Sequence, residues 1–398
     1  MKVPGFKAAA VGAGIKHKDR LDLGIIFSER PAAAAAVFTR NLVKAAPVLD
    51  SIALFRERKT FRAIVVNSGN ANACTGRRGL QDCHAIRQAA AGLLGCKTSE
   101  VLISSTGVIG SFLPMETYMA GLERASARLS EEGLEDVARA ILTTDTRPKT
   151  AVRSISSGGF KITVFGMAKG AGMIAPSMGL PQATMLSFVC CDAAVRPDFL
   201  QSVLSDAVEL SFNRITVDGD MSTNDTVVAM ASGRAGNPEE DGTGQLAAAF
   251  QRAMKDLLMD LAKQIVMDGE GATKCVQVWV KGAKDLLDAE LAARTIADSS
   301  LVKTAFFGQD PNWGRILAAA GRSGADFDPA GVSIFIDNCR IVRHGMPVGP
   351  EAEAAAASSM KKDEFTVTID LAAGPAEFQV LTCDLSDEYV HINADYRT

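Results

Sequence analysis

From Lys169 to Ala194 the chain reads KGAGMIAPSMGLPQATMLSFVCCDAA, and this stretch constrains the fold more than any other. A glycine-rich turn leads into a segment holding Pro176 and Pro181. Neither suits a helix interior, because proline lacks an N–H and clashes with the preceding turn. At Ala183-Thr184 the irregular segment stops and an apolar run begins, Met185 to Cys191. Its length suits one buried strand. A threonine therefore stands at the mouth of a core strand with a loop ahead of it. One reading is a plain strand start. The other is a latent nucleophile. If the Ala183-Thr184 peptide broke, Thr184 would own a hydroxyl and a free α-amine, and the amine can take the hydroxyl proton.

The same stretch imitates a nucleotide site. Gly170, Gly172 and Ala175 follow a predicted strand, Phe160 to Phe165, and Asp192 lies at a suitable distance beyond. That fingerprint needs a helix opening at its glycines. Pro176 and Pro181 interrupt any such helix, so no nucleotide is expected.

A chain of 398 residues can hold two or three domains, or two tightly merged ones. With 47% apolar and 22% charged residues it has the composition of a globular protein. A net charge of −4 offers no electrostatic footprint for nucleic acid or a membrane. None of the 8 cysteines forms a C-x-x-C, and the 4 histidines are scattered at 17, 84, 344 and 391, so no metal centre is expected. The N-terminus lacks an apolar h-region and no run reaches the length of a membrane span. A reducing cytoplasm is the expected location.

Along the chain, Leu23 to Phe27, Ala34 to Thr39 and Phe61 to Val66 read as strands. The last feeds NSGNANACTG, Asn67 to Gly76, whose small polar residues suit a tight loop with exposed backbone N–H groups. A helix is expected over 77–95. A short strand, Val101 to Ser105, then delivers Thr106-Gly107, a junction able to offer a hydroxyl and an N–H to an oxyanion. Pro114 opens a helix, and Ser130 is placed to cap the next. TTDTRPK, Thr143 to Lys149, is a polar cluster at that helix's end. Ala151 to Ile155 and Phe160 to Phe165 form a hairpin pattern. A helix follows from Pro197. Asp218, Asp220, Asn224 and Asp225 then bracket small residues, without the terminal glutamate of a calcium loop.

Gln245 to Ala262 reads as a helix. DGEGATK, Asp268 to Lys274, places Glu270 between two glycines, a candidate acid, base or ammonium binder. Leu286 to Ala297 is helical and Leu301 to Phe306 reads as a strand. A helix is expected after GQDPNWG, Gly308 to Gly314. Strands are expected near Val332 to Ile336, Arg340 to Arg343, Phe365 to Leu371, Phe378 to Leu381 and Tyr389 to Ile392, with a helix near Glu351 to Lys361. The tail from Asn393 to Thr398 would then follow directly from a strand.

Taken together, NSGNANACTG, STG at 105–107, TTDT at 143–146, AKGAGMIAP at 168–176 and ATML at 183–186 resemble one family in residue and order. FNRITVDGDMSTNDT at 212–226, GEGATK at 269–274, DPNWGRI at 310–316 and YVHINADYRT at 389–398 continue the likeness. It is similar to the ornithine acetyltransferase, or bifunctional glutamate N-acetyltransferase, family of arginine biosynthesis, across essentially the whole chain.

The resemblance implies self-cleavage between Ala183 and Thr184, giving an N-terminal fragment 1–183 and a C-terminal fragment 184–398. It implies acetyl transfer from N2-acetylornithine to glutamate through an acetylated Thr184. Thr106 and Gly107 would stabilise the oxyanion, and Thr143, Lys169, Thr184, Glu270, Asn393 and Thr398 would contact substrate. No cofactor is implied, with acetyl-CoA a co-substrate only if the enzyme is bifunctional. Two copies of each fragment would assemble as a heterotetramer. One departure stands out. Gly179 to Gln182 look inserted ahead of the scissile bond, on its leaving side. The expected fold is mixed α/β, two merged domains of β-sheet packed with helices and the active site between them. The rival readings are a self-processing hydrolase or aminopeptidase with the same nucleophile, and a non-catalytic binding protein.

Overall fold

The computed structural model describes residues 1–16, 19–175 and 185–395. The fold is mixed α/β, and the chain divides into two compact units. Among the described residues, one comprises 1–213 and 220–265, and the other 214–219 and 266–395. Among the described residues no helix is long and apolar enough to cross a membrane.

The first unit is built on an eight-stranded sheet. Its strands are β1 (Phe6–Val11), β2 (Leu23–Phe38), β3 (Thr60–Asn67), β4 (Val101–Ser105), β5 (Lys149–Ser157), β6 (Phe160–Lys169), β7 (Leu186–Cys191) and β8 (Thr226–Ala231). The order is β4-β3-β2-β8-β7-β6-β5, with β1 pairing β2. Strand β2 joins the predicted strands at 23–27 and 34–39 into one. Its register slips between Phe27 and Ala32, so its first half pairs with β1 and its second with β8, while β3 spans the slip. Such an irregularity bends a strand. Alternate residues of β2 and β3 enter two separate cores. Ile26, Ile64 and Val66 pack on one side, and Ile25, Ala63 and Val65 on the other. The helices are α1 (Ala46–Glu57), α2 (Gly76–Leu94), α3 (Met115–Ser126), α4 (Leu134–Ala140), α5 (Pro197–Glu209) and α6 (Ala247–Met267).

Three sequence expectations change here. Strand β8 lies in a stretch to which no strand is assigned from sequence, yet all six of its residues are buried. A strand covered on both faces shows no alternation, and VVAMA is too short to declare its period. Ser130 does not cap α4, whose N-cap is Gly133. Its hydroxyl accepts from Glu132 N and its backbone pairs with Ala8. The 67–76 loop is not an exposed cradle, since all of it but Cys74 and Gly76 is buried.

The second unit carries β9 (Cys275–Ala283), β10 (Ser333–Ile336), β11 (Cys339–Arg343), β12 (Met346–Pro347), β13 (Glu364–Asp370) and β14 (Ala376–Cys383), in the order β12-β11-β10-β13-β9-β14. Its helices are α7 (Leu286–Ala297), α8 (Ser300–Phe307), α9 (Trp313–Gly321), α10 (Pro350–Ser359) and α11 (Asp387–Asp395). Val276, Val278, Val280, Val367 and Ile369 share a core with Ala292, Ile296 and Phe306.

Two predicted strands are helices. In α8, Val302, Ala305 and Phe306 are buried, the i, i+3, i+4 spacing of a helix face, which six residues are too few to distinguish from a strand. In α11, Asp387 and Glu388 occupy the first turn, where carboxylates favour a helix, and no residue is buried. Residues 393–395 of the tail thus belong to a helix, and Glu270 sits between α6 and β9.

Candidate active site

Unit one places its candidates at strand ends. Asn67 ends β3 and Ser105 ends β4, in register with each other. The Ser105 hydroxyl donates to Asn67 Oδ1 at 2.7 Å, and Thr106 N donates to Asn67 O at 2.9 Å. The Thr106 amide is therefore occupied. Its hydroxyl and the Gly107 N–H have no partner among the described residues, and both residues are half-buried. Gly107 has φ +132, and a Cβ there would lie 2.3 Å from Gly69 C and 2.5 Å from Asn70 N. Only glycine lets the two turns lie this close. Asn70 fixes the facing turn, donating from Nδ2 to Ser111 O and Phe112 O.

Asn224 locks these turns to the start of β8. Its Nδ2 donates to Ala71 O at 2.6 Å and to Ser105 O at 2.8 Å, and its Oδ1 accepts from the Thr223 hydroxyl. The next residue, Asp225, is 1% exposed, and its Oδ2 has no partner among the described residues. Burial pushes its carboxyl well above the usual range, against the pull of Lys169, the Met185 N–H and Ser222. Thr226 N donates to Met185 O at 2.8 Å. Residue 185 is thus pinned by the segment 224–226.

Lys169 ends β6, opposite Leu186 of β7. Its Nζ lies 3.9 Å from Asp145 Oδ2. Asp145 is a hub. Its Oδ1 accepts from Lys149 Nζ at 2.6 Å and from Gly170 N at 2.7 Å, and its Oδ2 from Thr143 N at 3.0 Å. Burial would raise its carboxyl pKa, but Lys169 and Lys149 outweigh it and hold the group well below the usual range. The Arg20 guanidinium meets the Thr143 carbonyl at 3.3 Å.

In unit two, Glu270 is 8% exposed and its Oε2 accepts from Asn393 Nδ2 at 2.6 Å. Asn393 also donates to Tyr389 O, one turn back along α11. Gly271 (φ +69) seats the loop there, since a Cβ would meet Ser386 Oγ at 2.6 Å and Tyr389 N at 2.7 Å. The Asp384 carboxylate takes the Thr273 and Lys274 N–H groups at 2.8 and 2.9 Å.

Of the residues singled out from sequence, Thr143 and Lys169 meet through Asp145, Thr106 and Gly107 form one turn, and Glu270 pairs with Asn393. Ala183, Thr184 and Thr398 lie outside the described residues, as does the 179–182 insertion. Sequence reasoning misses Asp145, Lys149, Asn224 and Asp225 as site residues, although TTDTRPK reads as a polar cluster and Asn224 and Asp225 belong to a run of oxygens.

The model of the ArgJ family matches residues 7–398. The chain belongs to the ArgJ family. It is 53% identical over 401 aligned residues to the arginine biosynthesis bifunctional protein ArgJ of Geobacter sulfurreducens, with each chain covered in full. The protein of that name from Desulfotalea psychrophila is 49% identical over 398 residues, again with full coverage of both. Among solved structures, the crystal structure of ArgJ from Bacillus halodurans at 2.00 Å aligns with a TM-score of 0.51 and 43% identity. The alignment covers 54% of this chain and 100% of that one. The ArgJ match places a small-molecule biosynthetic enzyme on this fold, and neither rival reading is favoured.

Proposed function

We propose that the chain is a glutamate N-acetyltransferase of arginine biosynthesis. It moves the acetyl group of N2-acetylornithine to glutamate through an acetyl-threonine on Thr184. As a relative of proteins named bifunctional, it also acetylates glutamate from acetyl-CoA, as a second acyl donor without a resident cofactor. The observation that carries this reading is the ArgJ match over essentially the whole chain.

The chemistry follows from the groups on hand. Thr184 Oγ attacks the acetyl carbonyl while the Thr184 α-amine takes the hydroxyl proton. The carbonyl oxygen becomes an oxyanion, for which the Thr106 hydroxyl and Gly107 N–H are suited donors. Collapse breaks the acetyl–nitrogen bond, and the proton leaves with the ornithine α-amine. The neutral α-amine of glutamate then attacks the ester, Thr184 Oγ departs and regains the proton, and N-acetylglutamate is released. Lys169 takes the substrate α-carboxylate as a point-charge donor. Glu270, oriented by Asn393, takes the side-chain ammonium of ornithine. Thr143 and Thr398 supply further contacts.

Before turnover the chain cuts itself between Ala183 and Thr184 into fragments 1–183 and 184–398. Strands β7 and β8 follow that bond, yet they pair with β6 and β2, which precede it. A cut therefore leaves the ladders closed, and the fragments stay together as a heterotetramer of two copies each, in the cytoplasm. The Bacillus halodurans chain supports a two-fragment protein. It is covered in full while matching only 54% of this chain, as a fragment from Thr184 onward would be.

The test is to incubate purified protein with N2-acetylornithine and glutamate and to separate the products. Ornithine and N-acetylglutamate should appear in equal amounts. Release of acetate at the same rate with and without glutamate would replace the transferase with a hydrolase.

A further inference from the structure

Glu270 lies in the loop 268–274, between α6 and β9. Its side chain accepts from Asn393, on a helix with no buried residue. A helix without a buried face brings little packing to fix a charge. The main chain of the loop is held instead from one short segment, 382–386, where β14 runs toward α11. Asp384 is 2% exposed. Its Oδ1 accepts from Thr273 N at 2.8 Å and from Lys274 N at 2.9 Å, and its Oδ2 from the Thr273 hydroxyl. The Ser386 hydroxyl, also buried, donates to Gly271 O at 2.6 Å. A Cβ on Gly269 would stand 3.3 Å from Cys383 Sγ, so the loop lies close on this segment on both sides of Glu270. The segment is itself braced by α8. Lys303, 3% exposed, donates from Nζ to Thr382 Oγ1 at 3.0 Å and to Cys383 O, and its carbonyl accepts from Leu385 N at 3.2 Å. A positioning group is effective only where its own support is fixed.

We propose that Asp384 and Ser386 are positioning residues for the choice of acetyl donor: by clamping the loop main chain at 271 and 273–274 they set where the Glu270 carboxylate meets the side-chain ammonium of N2-acetylornithine. The inference rests on the reading that Glu270 binds that ammonium. Neither Asp384 nor Ser386 touches substrate. Both act through Glu270, so their effect is confined to the half-reaction in which Glu270 is used.

The test follows the two half-reactions separately. In Asp384→Ala the Thr273 and Lys274 N–H groups lose their acceptor, and the loop is released at its β9 end. Acetylation of the enzyme by N2-acetylornithine should slow about three- to tenfold, while capture of the acetyl group by glutamate stays within about twofold of the parent. Glu270→Gln is measured alongside and in combination. Once the charge is gone its placement no longer matters, so adding Asp384→Ala to Glu270→Gln should slow the acetylornithine step by no more than about a further twofold. A merely structural role slows both half-reactions alike, or multiplies the two losses, and either result overturns the inference. If Glu270→Gln is selective for the acetylornithine step while Asp384→Ala is not, this inference falls and the ammonium role of Glu270 stands. If Glu270→Gln slows both steps alike, the ammonium role fails, and this inference with it. If Asp384→Ala is insoluble, Ser386→Ala decides, since it removes only the hydroxyl on Gly271 O. A loss of about twofold or more confined to the acetylornithine step supports the inference, and an equal loss in both steps or none overturns it.

Discussion

The two sheets are solvated differently. In the first, β7 and β8 are buried at every position. In the second, β10 and β13 alternate buried residues with more exposed ones. The candidate site residues follow the same division. At the first sheet's strand ends each group is held by several partners: Asn224 by residues 71 and 105, and Asp145 by its neighbours 143 and 149 together with the distant Gly170. In the second unit, Glu270 is held by one amide from a helix whose own residues are all partly or fully exposed. A buried polar group without partners is expensive, so strands covered on both faces can carry polar chemistry only as a closed network. The expectation is that substitutions in the first unit damage the chemical step, and substitutions in the second adjust which amino acid is preferred.

The largest effect belongs to residue 184, one position before the segment pinned by Thr226. The parent protein should run as two fragments, the second beginning at Thr184, and Thr184→Ala should remain one chain without transfer activity. Intact-mass measurement decides. Splitting of the mutant at the same bond would remove Thr184 as the cause.

Next is the oxyanion turn. Thr106→Ala removes a half-buried hydroxyl while leaving the Thr106 amide on Asn67. The kcat should fall by about 10²–10³, the usual scale for losing one oxyanion donor. KM should change little, since the donor works mainly in the transition state. A large KM rise at constant kcat would move Thr106 into ground-state binding.

Asn224 and Asn393 give the direct contrast. Asn224→Ala strips donors from two buried carbonyls, at a cost of about 1–3 kcal/mol for each. It also loosens the 105–107 turn, and kcat should fall by about tenfold to a hundredfold, the scale of a small misplacement. Asn393→Ala takes from Glu270 a single donor supplied by a helix of partly or fully exposed residues, and kcat should fall by no more than about fivefold. Equal losses in kcat and in denaturant stability would erase the distinction between the units.

The same contrast explains what was legible in the sequence. Strands β10, β13 and β14 are found because β10, β13 and most of β14 alternate, and α7 because its apolar stripe spans twelve residues. Strand β8 is missed because complete burial removes its period. Helices α8 and α11 are misread because eight or nine residues with few charges or little burial carry no decisive spacing. Thr106, Gly107 and Glu270 are marked by local chemistry joined to ordered motifs, and Lys169 by the resemblance alone. Asp145, Lys149 and Asn224 did not, because their meaning lies in partners brought together only by the fold. No spacing in TTDTRPK says that its aspartate will face Lys169 and Gly170.

The most selective effect, confined to one half-reaction, is at Glu270. Glutamine keeps an oxygen able to accept from Asn393 Nδ2, so the loop–helix contact survives and only the charge is lost. Acetylornithine carries a cation at its side-chain end, whereas glutamate carries an anion there. Glu270→Gln should therefore slow acetylation of the enzyme by acetylornithine about tenfold, the scale of one ion pair with a bound ligand. Capture of the acetyl group by glutamate should be unchanged or faster, because a repulsive carboxylate has gone. The two half-reactions are followed separately, as the burst of acetyl-enzyme from acetylornithine and then its decay on adding glutamate. Equal losses in both steps would make Glu270 an acid, a base or a structural strut. The second unit would then serve the chemical step as the first does.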